Sequence, residues 1–310
     1  MSFIRIAETS SYLPQNEIFN DYFNTKFALE KDWIYKRTGI KKRYFSKKEE
    51  SIVDLCIEVS NKILKKINFD KQEIGNIIVT STTTDRIMPG ISFEIQKALD
   101  IKKCMCFDIL AGCSGYINAI DIARKNLLLE EIKYSLVIGV EKLSEYLDFD
   151  DLDTSILLGD GAGAILLEKV EEKKEFFSHI ISIPDSNRIL TCNPNEKISM
   201  DGKAIYKFAV TETSKNIKEL LEKSNEKLEN IKYIIPHQSN IRILNSIADK
   251  VGFPKEKLYT NLENVGNTFC ASIPIAIDEM FNKKLLNKGD KIIIVGYGGG
   301  LNLGSLLLEI

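Results

Sequence analysis

The chain has 310 residues, of which 44% are hydrophobic and 28% charged, with a formal net charge of −2. That composition is typical of a globular protein with one or two cores, and it argues against a nucleic-acid-binding protein because no domain is strongly basic. No apolar run approaches the ~20 residues that span a bilayer, the first residues lack the layout of a secretion signal, and the six cysteines have no metal-binding spacing. We therefore expect a cytoplasmic protein without a membrane segment or a metal site.

Short β-branched runs alternate with segments of helical periodicity along the first half of the chain. They predict strands at residues 74–80, 104–110 and 134–140, with helices at 90–99 and 115–129. Strands that are continuously apolar are typical of sheets buried on both faces.

The second half repeats the first at a constant shift of 157 positions, which superimposes Thr80 on His237 and Cys113 on Cys270. Any two α/β units can be slid into partial agreement, but a gapless shift of about half the chain favours a duplication. Two such units around a shared helical layer predict an α/β fold, an αβαβα sandwich of two duplicated halves. We expect the halves to be residues 1–172 and 173–310, joined in the charged run 171–175, although such a run is equally typical of a solvated hairpin turn.

Cys113 stands between a predicted strand and a predicted helix, in the segment Leu110-Ala111-Gly112-Cys113-Ser114-Gly115. At such a junction, the helix dipole and unpaired N–H groups favour the thiolate over the thiol. The small neighbouring residues leave room for a substrate beside the sulfur. The pattern predicts a nucleophile.

Functional residues are expected where the two halves differ in chemistry but share a position. His237 replaces Thr80 at the carboxyl end of a predicted buried strand, where open α/β sheets build their sites, although a lone histidine is more often structural. Asn267 precedes the helix predicted at 271–281, and Asn after Gly is also typical of a turn or an N-cap. The shift nevertheless places Asn267 in the loop equivalent to that of Cys113, so we expect Cys113, His237 and Asn267 to converge.

The sequence predicts different roles for two glycine-rich segments. Gly159–Ala164 is expected to join a strand at residues 155–158 to one at residues 165–167. Because it opens no helix, it does not fit a dinucleotide-binding fingerprint. Gly296–Gly300 follows the strand predicted at 291–295, where consecutive glycines suit either backbone donors for an oxyanion hole or a bulge between strands.

Cys113, His237 and Asn267, with their flanking segments Pro236–Asn240 and Gly266–Thr268, resemble the active-site motifs of β-ketoacyl-ACP synthase III, a condensing enzyme with a thiolase-like fold. The resemblance runs nearly end to end. It implies a homodimer that condenses an acyl-CoA primer with malonyl-ACP through a Cys113 acyl-enzyme, giving 3-oxoacyl-ACP, CoA and CO2. No metal or redox cofactor is implied, because the thioester and CO2 loss drive the reaction.

The resemblance also implies roles for further residues. The backbone N–H groups of Cys113 and Gly299 would hold the oxyanion, and Met88 would limit the acyl pocket across a dimer interface. Trp33 and Arg37 match residues that sandwich the CoA adenine, although a packed aromatic beside a surface cation would look the same. Lys207 and Arg242 match basic residues that dock acyl carrier protein, although ordinary solvated surface charges would look the same.

The chain departs from the family pattern at three positions. Leu152 stands where an arginine helps to hold CoA, Asp249 where a docking lysine is common, and Leu303 where an aromatic residue often lies. These departures leave two alternatives open. One is a related acyltransferase or condensing enzyme of a specialised pathway with a different acceptor, and the other is a non-catalytic acyl-CoA-binding partner.

Overall fold

The computed structural model of the protein describes residues 3–193 and 196–310. Its strands are β1 (Phe3–Tyr12), β2 (Asn16–Phe19), β3 (Lys42–Phe45), β4 (Ile74–Thr80), β5 (Met105–Ile109), β6 (Tyr134–Glu141), β7 (Gly161–Val170), β8 (Phe176–Ser182), β9 (Leu190–Thr191), β10 (Ser199–Met200), β11 (Ile231–Pro236), β12 (Lys291–Gly298) and β13 (Asn302–Glu309). Its α-helices are α1 (Asn20–Lys26), α2 (Trp33–Thr38), α3 (Ile52–Leu64), α4 (Ile91–Ala98), α5 (Gly115–Leu129), α6 (Leu152–Ser155), α7 (Gly202–Ser224), α8 (Ile241–Val251), α9 (Leu262–Val265) and α10 (Ser272–Asn282).

Two mixed sheets form the framework. The first has the strand order β1-β7-β6-β4-β5 and the second β8-β13-β12-β11, so the two sheets share one strand arrangement. In the second sheet, a single parallel bridge between Ile234 and Leu258 stands where β5 lies in the first. Every residue of β6 is buried, because helices cover both faces of the sheet.

Five layers follow from the packing of the buried side chains. Helices α5 and α10 share a core with strands of both sheets and therefore lie between them. Helices α3 and α4 cover the outer face of the first sheet, and α7 and α8 cover that of the second. The αβαβα sandwich predicted from the sequence is confirmed.

The repeat is retained element by element. The short 3-10 turn Gly112–Ser114 has its counterpart in Phe269–Ala271 at the same shift, as does β6 in β12. Residues 171–175 connect β7 of the first sheet to β8 of the second. The boundary between residues 172 and 173 stays a prediction.

The strand expected at residues 155–158 is wrong. Ser155 ends the short helix α6, which Asp151 caps by accepting the N–H of Asp153, and Leu158 makes only a single bridge to Asn267. The glycine segment 159–164 nevertheless leads into strand β7 and opens no helix, as expected. Among the described residues, no helix is long and apolar enough to cross a bilayer, and no cluster of three or more His, Cys, Asp or Glu side chains is arranged to hold a metal ion.

Candidate active site

Cys113 lies in the 3-10 turn that links β5 to α5, and its side chain is only 4% exposed. Gly112 adopts a φ of +58°, a conformation that glycine reaches without strain. Glycine at position 298 lets the end of β12 approach the cysteine, since a Cβ there would lie 2.8 Å from the Cβ of Cys113. The glycines thus bring two strand ends together around the sulfur.

Two backbone N–H groups are directed at this sulfur. Those of Cys113 and Gly299 both hydrogen-bond to it and lower the pKa of the thiol. Gly299 opens the turn that follows β12. Two backbone donors that converge beside a nucleophile are the kind of groups from which oxyanion holes are built.

The net pKa of the Cys113 thiol is nevertheless raised. Burial is the largest cause and the negative charge of Glu141 adds to it, while the backbone donors only partly oppose them. The backbone donors at this turn therefore favour the thiolate, but by less than burial and Glu141 disfavour it. Removing the sulfur from water disfavours its charged form more than the nearby dipoles stabilise it.

His237 follows β11 directly, and its backbone N–H donates to Val295 O at 2.7 Å, continuing the sheet. Its Nδ1 atom lies 2.7 Å from the hydroxyl oxygen of Ser272. That hydroxyl also accepts the backbone N–H of Gln238 and keeps its own proton to donate. In the tautomer in which Ser272 donates to Nδ1, the neutral imidazole carries its proton on Nε2, which makes Nε2 a hydrogen-bond donor.

The imidazole of His237 is neutral at ordinary pH. Burial lowers its pKa from 6.5 to about 3, although a backbone hydrogen bond with Phe269 opposes the change. A neutral ring can donate a hydrogen bond to a substrate oxygen but does not carry the full charge of an imidazolium.

Hydrogen bonds of its backbone and of its side-chain oxygen fix the position of Asn267. Its backbone N–H donates to Leu157 O at 2.9 Å, and its carbonyl accepts from Gly159 N at the same distance. Its Oδ1 atom accepts the N–H of Phe269 at 3.0 Å. Because the oxygen of the carboxamide is engaged, the Nδ2 donors remain for a ligand.

Cys113, His237 and Asn267 line one cavity of about 660 Å³. Trp33, Arg37 and Arg242 line the same cavity, and the Cζ atom of Arg37 lies 4.0 Å from the Trp33 ring centre. The convergence of the three side chains that the sequence analysis expects is therefore present in the structure, and their chemical roles stay predictions.

Other predicted site residues lie elsewhere. Lys207 is exposed on α7 and does not line this cavity, whereas Lys203, which the sequence analysis did not select, does. Cys113 also lines a second cavity, which Thr82–Ile87 line as well. Met88 is 81% exposed and lines neither cavity. Asp249 is in an ion pair with Lys255 at 2.9 Å.

Sequence reasoning also missed Ser272 and Tyr297. The hydroxyl of Tyr297 bonds to Ser239 at 2.6 Å, and its ring packs edge-on against His237 at 5.4 Å between centroids. The shift of 157 aligns Ser272, the first residue of α10, with Gly115, the first residue of α5. The polar residue at this position of the second half is the sequence feature that could have identified Ser272.

Comparison with known proteins identifies the family. The chain is 41% identical to β-ketoacyl-[acyl-carrier-protein] synthase III of Clostridium botulinum strain 657, across 99% of both chains. The chain belongs to the β-ketoacyl-[acyl-carrier-protein] synthase III family. The corresponding Clostridium novyi protein is 37% identical, across 99% of this chain and 98% of that protein.

Family models and a solved structure agree with this assignment to the synthase III family. The model described as 3-oxoacyl-[acyl-carrier-protein (ACP)] synthase III matches residues 107–183, and its C-terminal counterpart matches residues 221–310. The crystal structure of 3-oxoacyl-[acyl-carrier-protein] synthase III from Aquifex aeolicus superimposes with a TM-score of 0.94 at 36% identity, covering 99% of this chain and all of that one. The resemblance drawn from the sequence motifs is confirmed, as is the thiolase-like fold.

Proposed function

We propose that this protein condenses an acyl-CoA primer with malonyl-ACP, giving 3-oxoacyl-ACP, CoA and CO2, the initiating step of fatty acid biosynthesis. The observation that supports it is the shared cavity, in which the buried sulfur of Cys113 faces the same space as His237 and Asn267. The family relationship supports the same reaction.

The first half-reaction transfers the acyl group to Cys113. The sulfur attacks the thioester carbon, the N–H groups of Cys113 and Gly299 stabilise the tetrahedral oxyanion, and the thiol proton ends on the departing CoA. Trp33 and Arg37 contact the adenine of CoA at the solvent-exposed end of the cavity.

The second half-reaction forms the carbon–carbon bond. Nε2–H of His237 and Nδ2–H of Asn267 donate to the thioester oxygen of the malonyl group, so the enolate is stabilised as CO2 leaves. The carbanion attacks the acyl carbon, and collapse of the tetrahedral adduct expels the Cys113 thiolate. The raised pKa of Cys113 then favours its return to the thiol.

We also propose that the protein docks acyl carrier protein and acts as a homodimer. Lys207 and Arg242 are both exposed and supply positive charge for the acidic carrier protein. The exposed Met88 reaches the acyl pocket of the other copy in a homodimer. The reaction needs no metal or redox cofactor, because the thioester and CO2 supply the driving force, and we expect it to take place in the cytoplasm.

Intact-mass spectrometry after incubation with acetyl-CoA tests the proposed reaction. We expect an acetyl adduct on the wild-type protein that is absent from Cys113→Ser. With malonyl-ACP added, the adduct should be consumed with release of CO2, whereas His237→Ala and Asn267→Ala should form the adduct but release little CO2.

Two outcomes would contradict the proposed reaction. Failure of acetyl-, branched and medium-chain acyl-CoA to label the protein would indicate a non-catalytic acyl-CoA-binding protein. An adduct without malonyl-dependent CO2 release would indicate an acyltransferase with a different acceptor.

A further inference from the structure

Phe269 occupies a backbone conformation that suits glycine. Its φ is +44°, and the shift of 157 aligns it with Gly112, whose φ is +58°. The two halves of the protein therefore build the same turn, but only the first uses the residue that adopts it without strain. A bulky side chain in the left-handed region is uncommon, and residues kept in strained conformations cluster at functional sites.

The hydrogen bonds of the Phe269 backbone do not explain why this position holds a phenylalanine. Its N–H donates to Asn267 Oδ1 at 3.0 Å, and its main chain also hydrogen-bonds to His237. A glycine would offer the same backbone groups with less strain. The ring itself must therefore account for phenylalanine at this position.

The ring lies where two cavities meet. A second cavity of about 960 Å³ adjoins the one already described, and four residues line both: Cys113, Leu190, Ile198 and Phe269. These four side chains belong to one apolar cluster, and Phe269 is 8% exposed. Three apolar side chains thus form a partition beside the sulfur that carries the acyl group in the proposed reaction.

We propose that Phe269 is a specificity-determining residue that restricts the acyl group on Cys113 to short chains. This inference rests on the proposed function. Because Cys113 and Phe269 line both cavities and belong to one apolar cluster, an acyl chain on the sulfur begins beside the partition, and in this proposal each added methylene approaches the phenyl ring. One methylene group in a hydrophobic pocket changes relative rates by about 10- to 200-fold.

The test compares the rates at which acetyl-CoA and hexanoyl-CoA label Cys113, followed by intact mass. Phe269→Gly removes the ring and suits the positive φ, so we expect it to raise the hexanoyl-to-acetyl ratio at least about tenfold. The ratio is used because any general loss of rate cancels. Leu190→Ala opens the same partition without changing the strained turn. If Phe269→Gly does not fold, a raised hexanoyl-to-acetyl ratio in Leu190→Ala supports the partition and an unchanged ratio contradicts it.

Phe149→Ala is the matched control, because Phe149 packs against the same apolar cluster but lines neither cavity. Its ratio should stay within about twofold of wild type. Acetyl labelling with an unchanged ratio in both Phe269→Gly and Leu190→Ala would overturn the role of Phe269 and leave the proposed condensation intact. Absence of any adduct on the wild-type protein would overturn the proposed condensation as well.

Discussion

Cys270 donates its S–H to the Oε1 atom of Glu141 at a distance of 3.0 Å. Cys270 is the repeat counterpart of Cys113, yet it is fully buried and also contacts Thr80 O at 3.2 Å. Burial raises its pKa well above the usual range. The duplication thus left two cysteines at equivalent turns, of which one lines the cavities and the other holds the buried carboxylate of Glu141.

Replacement of Glu141 by glutamine should make Cys113 more reactive. The carboxylate raises the pKa of the Cys113 thiol, so removing its charge increases the thiolate fraction. We expect iodoacetamide to alkylate Cys113 about threefold faster or more at pH 7.5, with the pH–rate profile moved to lower pH. The Cys113→Ser variant identifies background alkylation, and an unchanged or slower rate in Glu141→Gln would count against this role of the carboxylate.

Ser272→Ala should impair the condensation step. Without the hydroxyl, Nδ1 of the buried His237 loses its 2.7 Å partner and the proton is no longer directed to Nε2. We expect kcat to fall by about tenfold, less than the ~10²–10³ that loss of an entire donor to the developing oxyanion costs, because Nε2–H is no longer fixed as that donor. The measurement is malonyl-dependent CO2 release, while acetyl labelling of Cys113 should fall much less. Ser272→Thr, which keeps a hydroxyl, should recover part of the rate; equal losses in both variants would indicate a packing defect.

The buried His237 should make the protein less stable in mild acid. Its pKa of about 3 in the folded protein lies below its ordinary value of 6.5, so between these pH values the unfolded chain binds a proton that the folded chain does not. Stability therefore falls as pH falls, by about 2 kcal/mol between pH 7 and pH 5 for this group. Urea unfolding at the two pH values, repeated on His237→Asn, measures the contribution, which is the part of the pH dependence that the variant loses. An identical dependence in the two proteins would refute it.

Trp33→Ala should weaken the use of acyl-CoA but not of a shorter thioester. The stacked pair of Trp33 and Arg37 lies at the exposed end of the cavity, where only the nucleotide part of CoA would reach it. We expect KM for acetyl-CoA to rise about 3- to 10-fold, consistent with about 1 kcal/mol for a cation–π or stacking contact. The KM for S-acetyl-pantetheine, which lacks the nucleotide, should not change. Equal rises for the two substrates would show that Trp33 supports only the packing.

Asp153→Asn should improve the use of acyl-CoA at low salt. Asp153 lines the same cavity as Arg37, next to Leu152, so its negative charge opposes the phosphates of CoA. Removing that charge should lower KM for acetyl-CoA about twofold to threefold at low ionic strength, and 0.5 M salt should abolish the difference because screening becomes strong. A difference that persists at high salt would contradict an electrostatic cause.

Local patterns in the sequence were sufficient for the fold and for the choice of the three central residues. The strand β4 and the helix α5 begin and end where periodicity places them, because burial on a fixed face imposes its period on the residues. The constant shift located the turn of Asn267 opposite that of Cys113. Repeated local structure survives in sequence because each half must bury the same faces.

Only the tertiary structure decided the protonation and the shape of the site. The pKa of Cys113 depends on burial and on Glu141, which is 28 positions away in sequence, and the tautomer of His237 depends on Ser272. The role proposed for Phe269 depends on its positive φ and on the two cavities that its side chain lines, and no pattern in the sequence indicates either. Electrostatics and cavity shape depend on distances between residues far apart in the chain, and no local pattern records those distances.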